Sequence, residues 1–291
     1  MMSTILISEE DESHMGVDVI VFSYNRPAQL YAFLESFFLH TRGHNHLTVI
    51  YRADDERFLK SYHQVQEAFP STIFCPQSSN PHQDFQMLTM KAAFDPQSEA
   101  KYVMFAVDDL VVTRPFDFRE CTRALEAYDG YGFFLRLGTN ITQCYMLSIP
   151  SPVPTNSVCE EKFLKWQFSD GVGDWGYPQN TDMTIYRKLD IQPMLSCFDF
   201  YSPNTMEDQW SYLPPSRPHG LCFMTSMMVN LPYNKVNNSG NKYDQKNELS
   251  SQDFLDLFEK GLKLDVEKYR NLENVSPHAE YEASFIQKKG A

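Results

Sequence analysis

Two periods of hydrophobic patterning alternate along the first 115 residues. Val17 to Ser23 (VDVIVFS) is a short β-branched apolar run, the pattern of a buried strand. Asn25-Arg26-Pro27 follows, and Pro27 suits the first position of a helix. Leu30, Phe33, Leu34, Phe37 and Phe38 then recur at helical spacing. His46 to Tyr51 reads as a second strand, Asp54 to Phe69 as a helix, and Ser71 to Cys75 as a third strand. Gln83 to Phe94 predicts another helix and Lys101 to Val107 (KYVMFAV) a fourth strand. This strand–helix order predicts an α/β fold with a mostly parallel central sheet, right-handed crossovers and helices on both faces. Ligands of such sheets bind beyond the carboxyl ends of the strands. Here those ends are Ser23 to Arg26, Arg52 to Asp55, Pro76 to Asn80 and Asp108-Asp109, all polar.

Beyond residue 115 the pattern loosens. Asp117 to Tyr128 predicts a helix and Tyr131 to Leu137 a strand. Pro-rich breaks at 149–157 and 213–218 bracket a Trp- and Gly-rich loop around Gly171 to Pro178. Gly220 to Asn230 has strand character, and Ser250 to Gly261 is an amphipathic helix with Phe254, Leu255, Leu257 and Phe258 on its apolar side. Loops of this length often carry binding groups.

Composition narrows the function classes. In 291 residues there are 22 Phe, 16 Tyr and 3 Trp, far too many aromatics for a disordered chain. A net charge of −13 with no concentrated basic patch argues against nucleic acid as a partner. No run reaches the about 18 apolar residues of a transmembrane helix. Residues 1–16 carry Glu9, Glu10, Asp11 and Glu12 instead of a basic start and an apolar stretch, so they read as a flexible leader rather than a signal peptide. The six cysteines stand singly, which predicts no zinc site and no disulfide framework. A cytoplasmic protein is the expectation, with peripheral association at the inner face of a membrane left open. The sequons at Asn140, Asn237 and Asn274 are then chance matches.

Asp108 and Asp109 end a predicted buried strand side by side. Adjacent carboxylates repel unless a cation neutralises them, and a hard divalent cation such as Mg²⁺ or Mn²⁺ is the natural partner of carboxylate oxygens. An acidic turn capping the next helix is the other way to explain them. The Ser23-Tyr24-Asn25-Arg26-Pro27 junction offers backbone N–H groups and an Arg to a phosphate or a base.

The runs VDVIVFSYNRP, VIYRADDERF, DFQMLTMKAAF and KYVMFAVDDLVV together resemble the nucleotide-sugar half of GT-A glycosyltransferases, most closely the family 2 type found among bacterial surface-glycan enzymes. The resemblance covers roughly residues 17–115. It implies a GT-A, Rossmann-like fold. Residues 17–115 would hold the nucleotide-sugar, 116–250 the acceptor side of the same domain, and 251–291 a C-terminal helical segment. It implies donor contacts from Ser23, Tyr24, Asn25, Arg26, Asp54, Asp84 and Asp108. Asp109 would bind Mn²⁺ or Mg²⁺ as the last member of a D-x-D-type motif, with His219 as a late metal ligand. The stretch after the second strand, Arg52-Ala53-Asp54-Asp55, lacks the family's usual glycine.

Downstream, Asn204 to Trp210 (NTMEDQW) resembles the family's E-D motif. That implies Glu207 or Asp208 as the catalytic base of an inverting transfer, kept ionised by the helix N-terminus. Plain helix capping is the rival explanation. Asp174, Trp175 and Asp182 are the candidate acceptor contacts, with Trp175 otherwise a core plug. Arg187 could touch acceptor or diphosphate, and Arg136 in FFLRLG is a buried cation that needs a carboxylate. The literal G-x-G-x-x-G from Gly171 to Gly176 precedes Tyr177-Pro178 rather than a helix, so it is no dinucleotide site. Hydrolase, P-loop and zincin motifs are missing from the sequence. The expected partners are a nucleotide-sugar donor and a glycan or lipid-linked acceptor. A non-catalytic sugar- or protein-binding relative and a nucleotidyltransferase are the alternatives.

Overall fold

The computed structural model describes residues 16–78, 80–160, 162–235 and 249–288. The predicted leader, apart from Gly16, and the Asn237 sequon lie outside them.

One nine-stranded sheet organises the chain. Its strands are β1 (Val17–Tyr24), β2 (His44–Arg52), β3 (Ile73–Pro76), β4 (Tyr102–Val107), β6 (Gly132–Phe134), β7 (Val158–Glu160), β8 (Phe163–Gln167), β9 (Thr184–Arg187) and β10 (His219–Phe223). The spatial order is β7-β8-β10-β6-β9-β4-β1-β2-β3. Following the pairings outward from β1, only β8 and β9 run against the other seven strands. The expected mostly parallel α/β sheet is therefore met, and five strands of the second half, β6 to β10, extend it. The short strands β5 (Leu110–Val112) and β11 (Met228–Asn230) pair separately and antiparallel.

Helices cover both faces because the strands are apolar on both. Along β1, Val17, Val19 and Val21 face one core, and Ile20 and Phe22 the other. The first core is closed by α1 (Pro27–His40), α2 (Glu56–Ala68), α4 (Phe118–Tyr128) and α7 (Ser251–Glu259). The second is closed by α3 (Pro81–Ala93), α5 (Lys188–Leu195) and α6 (Pro203–Ser211). The helix starts follow local chemistry. Pro27 opens α1; Asp55 caps α2 by accepting from Arg57 N and Phe58 N at 2.8 and 3.0 Å. Ser202 and Thr205 form a capping box on α6, with the cap two or three residues before the Asn204 or Thr205 start read from the sequence.

Two strand predictions change. Tyr131 to Leu137 is regular only over Gly132–Phe134, after which Leu135 bonds to Met183 and Met227 through its backbone. Gly220 to Asn230 is split between β10 and β11, which belong to different sheets. The C-terminal helix packs outside α1 and α2 as expected, with Arg57 bridging to Asp256 at 2.7 Å and to Glu259. The chain then returns, and Asn230 N donates to Pro277 O at 2.8 Å. All six cysteines are free thiols. Asn140 spends its amide on Ser226 Oγ and Asn274 O, and Asn274 is buried, so neither sequon presents a free side chain. Among the described residues no helix is long and apolar enough to cross a membrane.

Candidate active site

The carboxyl ends of β1, β2 and β4 meet the loops of the second half around a cavity of about 1110 Å³. Asn25 makes the turn out of β1 with φ 52°, a left-handed conformation that Asn tolerates. Its side chain accepts from Asp54 N at 2.9 Å and donates to Asp54 Oδ2 at 3.0 Å. Tyr24 OH donates to the same carboxylate, and Arg52 pairs with it at 2.9 Å while lying 4.7 Å over the Tyr24 ring. Burial opposes ionisation of Asp54, but Tyr24, Asn25 and Arg52 outweigh it and hold the carboxyl below its ordinary range. Ser23, Tyr24, Asn25, Arg26, Asp54 and Asp108 thus do come together. Asp84 does not join them. It accepts from Ser78 N and from Gln77 Nε2 at 3.2 Å and ties down the loop before α3.

Arg26 is the centre of this end. Its Nη1 donates to Asp108 Oδ1 at 3.1 Å and to Asp109 Oδ2 at 2.9 Å. Its Nε donates to Asn234 Oδ1 at 3.0 Å and its Nη2 to the Asn234 carbonyl. Asp108 Oδ2 accepts from Ser23 Oγ at 2.8 Å and Tyr24 N at 3.3 Å. Asp109 Oδ1 accepts from Asn230 Nδ2 at 3.0 Å. Burial drives Asp108 up to about 6, against the pull of Arg26. Burial likewise opposes the Arg26 cation, but the two carboxylates outweigh it and raise its pKa. The cation that the adjacent carboxylates require is therefore a side chain.

This bears on the expected Mn²⁺ or Mg²⁺. Both Asp109 oxygens are engaged, one by a guanidinium and one by an amide. A divalent ion there would have to share the carboxylate with both donors and sit beside the Arg26 cation. No group of three or more His, Cys, Asp or Glu able to hold a metal occurs among the described residues. As arranged, the residues do not fit the ion, and no step below is routed through it. His219 does not approach Asp109. It begins β10, where Gly220 is level with Gly132 and, through Tyr186 and Arg187, with the start of β4. That is the opposite edge of the sheet, a six-residue strand or about 20 Å from Asp108. Arg187 lies at the same far edge, bonded to Glu126, Leu125 O and Gly130 O.

A second carboxylate pair, Asp182 and Glu207, lines the same cavity. Glu207 lines the cavity and accepts from Thr181 N and, at 2.8 Å, Thr181 Oγ1. Burial first, and then the charge of Asp182, push Glu207 up to about 7. This reverses the expectation that the helix start keeps it ionised. Glu207 lies in the second turn of α6, beyond the reach of the free N–H groups. Asp182 pairs with His278 at 3.3 Å. Burial works against both charges, but each outweighs it for the other: Asp182 is held low and His278 high. Asp174 is the partner that Arg136 required, at 2.5 Å, and both line the cavity.

Two further assignments are corrected. Asp208, next to Glu207, is exposed and points away from the cavity, since successive helix positions diverge by 100°. Trp175 is no acceptor contact. It is fully buried, its Nε1 donates to Ile141 O and Ser151 O, and its ring lies 4.9 Å from Trp166. The glycines of its loop serve that plug: Gly173 adopts φ 61°, and a Cβ at Gly171 would collide with the Trp175 backbone.

Sequence reasoning missed Asn230, Asn234 and His278. Asn234 lies 208 residues from Arg26 along the chain. Its only local cue is a polar run after a strand, and His278 has none beyond being a histidine near a proline.

No protein-family model matches this chain. In sequence it is similar to the bifunctional glycosyltransferase pgtA of Dictyostelium discoideum, 27% identical over 290 residues, covering 88% of this chain and 37% of that protein. The chain thus spans little more than a third of that relative's length. Among solved structures, S. aureus TarS 1–349 in complex with UDP aligns over 71% of this chain and 60% of that one, with a TM-score of 0.46 and 10% identity. A 4-diphosphocytidyl-2C-methyl-D-erythritol synthase aligns over 70% of this chain and 86% of that one, with a TM-score of 0.36 and 14% identity.

Proposed function

We propose that this protein is a glycosyltransferase that moves a sugar from a nucleotide-sugar to a hydroxyl of a glycan or lipid-linked glycan, with inversion. The observation that carries the reading is Glu207: a carboxylate that lines the same cavity as polar strand ends of the kind that bind nucleotides, and that burial raises to about 7. The sequence likeness to a glycosyltransferase supports it.

The donor would lie along Tyr24, Asn25, Arg26, Arg52 and Asp54, with Arg52 and Lys235 as cavity-lining cations for the diphosphate. The acceptor would sit against Asp174, Asp182 and Glu207. In the reacting step the acceptor oxygen bonds to the anomeric carbon from the face opposite the diphosphate. The bond from that carbon to the diphosphate oxygen breaks, and its electron pair leaves with the diphosphate. The hydroxyl proton passes to Glu207. A base with a pKa near the working pH suits that transfer.

The test is thermal unfolding with UDP, GDP, CMP and dTDP, joined to turnover of the corresponding nucleotide-sugars by wild type and Glu207→Gln. One nucleotide should raise the melting temperature of both proteins, about 2.7 kcal/mol at 100 times its dissociation constant. Only wild type should turn over. Undiminished turnover by Glu207→Gln removes Glu207 as the base, and no shift with any nucleotide removes the donor site.

A further inference from the structure

The strand-end carboxylate pair already holds a cation between its two members. Arg26 Nη1 lies 3.1 Å from Asp108 Oδ1 and 2.9 Å from Asp109 Oδ2, one oxygen of each. The guanidinium is gripped from its other side, by Asn234 Oδ1 on Nε at 3.0 Å and by the Asn234 carbonyl on Nη2. Its backbone is fixed as well: Arg26 N donates to Tyr62 OH at 3.2 Å, and Pro27 starts α1 directly after it. Asp109 belongs to the same unit, because its carbonyl accepts from Leu231 N at 2.8 Å and its Oδ1 from Asn230 Nδ2 at 3.0 Å. The stretch from Asn230 to Asn234 therefore clamps Arg26 against both aspartates. The side chains of Arg26 and Asp109 are only 10% and 14% exposed, yet both residues line the cavity.

A carboxylate oxygen keeps a second lone pair when one donor uses the first, so hydrogen bonding alone leaves room for an ion. Charge does not. Two carboxylates and one guanidinium leave a single negative charge, and a divalent ion would stand beside a buried cation that water screens weakly. Swinging Arg26 away would strand its charge and break four hydrogen bonds. The histidines that line the cavity are engaged elsewhere: His278 pairs with Asp182 at 3.3 Å, and the His82 ring lies 4.6 Å from that of Tyr201. We propose that Arg26 is the resident cation of the Asp108–Asp109 pair, that it keeps a divalent ion out, and that the cavity binds its nucleotide without one. The nucleotide half of this inference rests on the transferase reading; the cation half does not. The charge of a departing diphosphate would then fall to side chains, of which Arg52 and Lys235 line the cavity.

The experiment reads Mn²⁺ binding by electron paramagnetic resonance on the full chain, for wild type, Asp109→Asn, Arg26→Gln and Arg26→Lys. It is run with and without each of UDP, GDP, CMP and dTDP, and each nucleotide is also read without protein. A net charge of −13 gathers Mn²⁺ loosely over the surface, so Asp109→Asn is the blank. Wild type and Asp109→Asn should retain the same Mn²⁺, with or without nucleotide. Arg26→Gln leaves the carboxylates without their cation and should gain a site at least about tenfold tighter than the blank, whereas Arg26→Lys keeps the charge and should gain none. The melting shift with the nucleotide that binds should be the same in EDTA as in Mn²⁺. Mn²⁺ held by wild type and lost in Asp109→Asn overturns the proposal. So does a nucleotide shift that EDTA abolishes, or a folded Arg26→Gln that gains no Mn²⁺. If Arg26→Gln does not fold, wild type against Asp109→Asn decides alone. No shift with any nucleotide, in EDTA or in Mn²⁺, removes the donor reading, and the Mn²⁺ comparison still decides whether Arg26 keeps the ion out.

Discussion

Two carboxylate pairs line one cavity, and they differ in what surrounds them. Asp108 and Asp109 share a guanidinium, and all four of their oxygens have donors. Asp182 has His278, but Glu207 is held by the neutral donors of Thr181, and burial and the like charge of Asp182 outweigh the pull of Arg136 on it. The first pair is held as structure at the end of two strands. The second keeps a proton affinity near neutrality. The same residue types do different work because cations are distributed unequally, and a buried carboxylate without one must share its charge with a proton.

The strongest way to break the comparison is to neutralise Glu207. Glu207→Gln should lower kcat by about 10²–10⁴-fold, the usual worth of a positioned base. It should also stabilise the fold at pH 8. A carboxyl whose folded pKa lies above its unfolded one costs stability above the folded pKa, here about 7, and the cost fades as pH falls toward the unfolded value. Melting temperatures at pH 8 and pH 5 check the sign.

Arg26→Gln attacks the other pair. Removing one partner of a buried ion cluster leaves uncompensated charge, at about 3–5 kcal/mol. Asp108 already stands near 6 and rises further without the guanidinium. The loss should therefore be largest above pH 7 and shrink as acid protonates Asp108. Denaturant unfolding across that range measures it, and a loss independent of pH would deny the charge-based account.

Asp182→Asn sharpens the contrast instead. It deletes the like charge that helps raise Glu207, so the acid limb of kcat/KM should move to lower pH. His278 loses the carboxylate that raises it and should titrate lower by NMR. The smallest effects belong to Asp208→Asn and His219→Ala. The first residue is exposed and the second lies at the far sheet edge, so turnover should be unchanged and stability should move by less than about 0.5 kcal/mol.

The strand-end side of the cavity was legible in the sequence because each of its residues sits at the end of an apolar run that could only be a buried strand. The strand order then puts Tyr24, Arg52 and Asp108 at one edge. The other wall was half legible. NTMEDQW marked a helix with two acidic residues, but which one faces the cavity depends on how the helix packs, and its start lay two or three residues earlier than expected. Trp175 and Asp174 are adjacent in sequence, yet one plugs the core and the other lines the cavity. No periodicity separates two residues in a loop of 3₁₀ turns.

By itself the sequence determined the alternation of strands and helices, the two-faced burial of β1 and β4, and the polar edge, because these follow from local hydrophobic period and turn chemistry. Only the tertiary structure decided what neutralises Asp109 and which histidine enters the site. Those depend on Asn230, Asn234 and His278, which reach Asp109, Arg26 and Asp182 from 121, 208 and 96 residues away. Contacts at that separation leave no spacing to read, since they are set by how the sheet and its returning C-terminal segment pack.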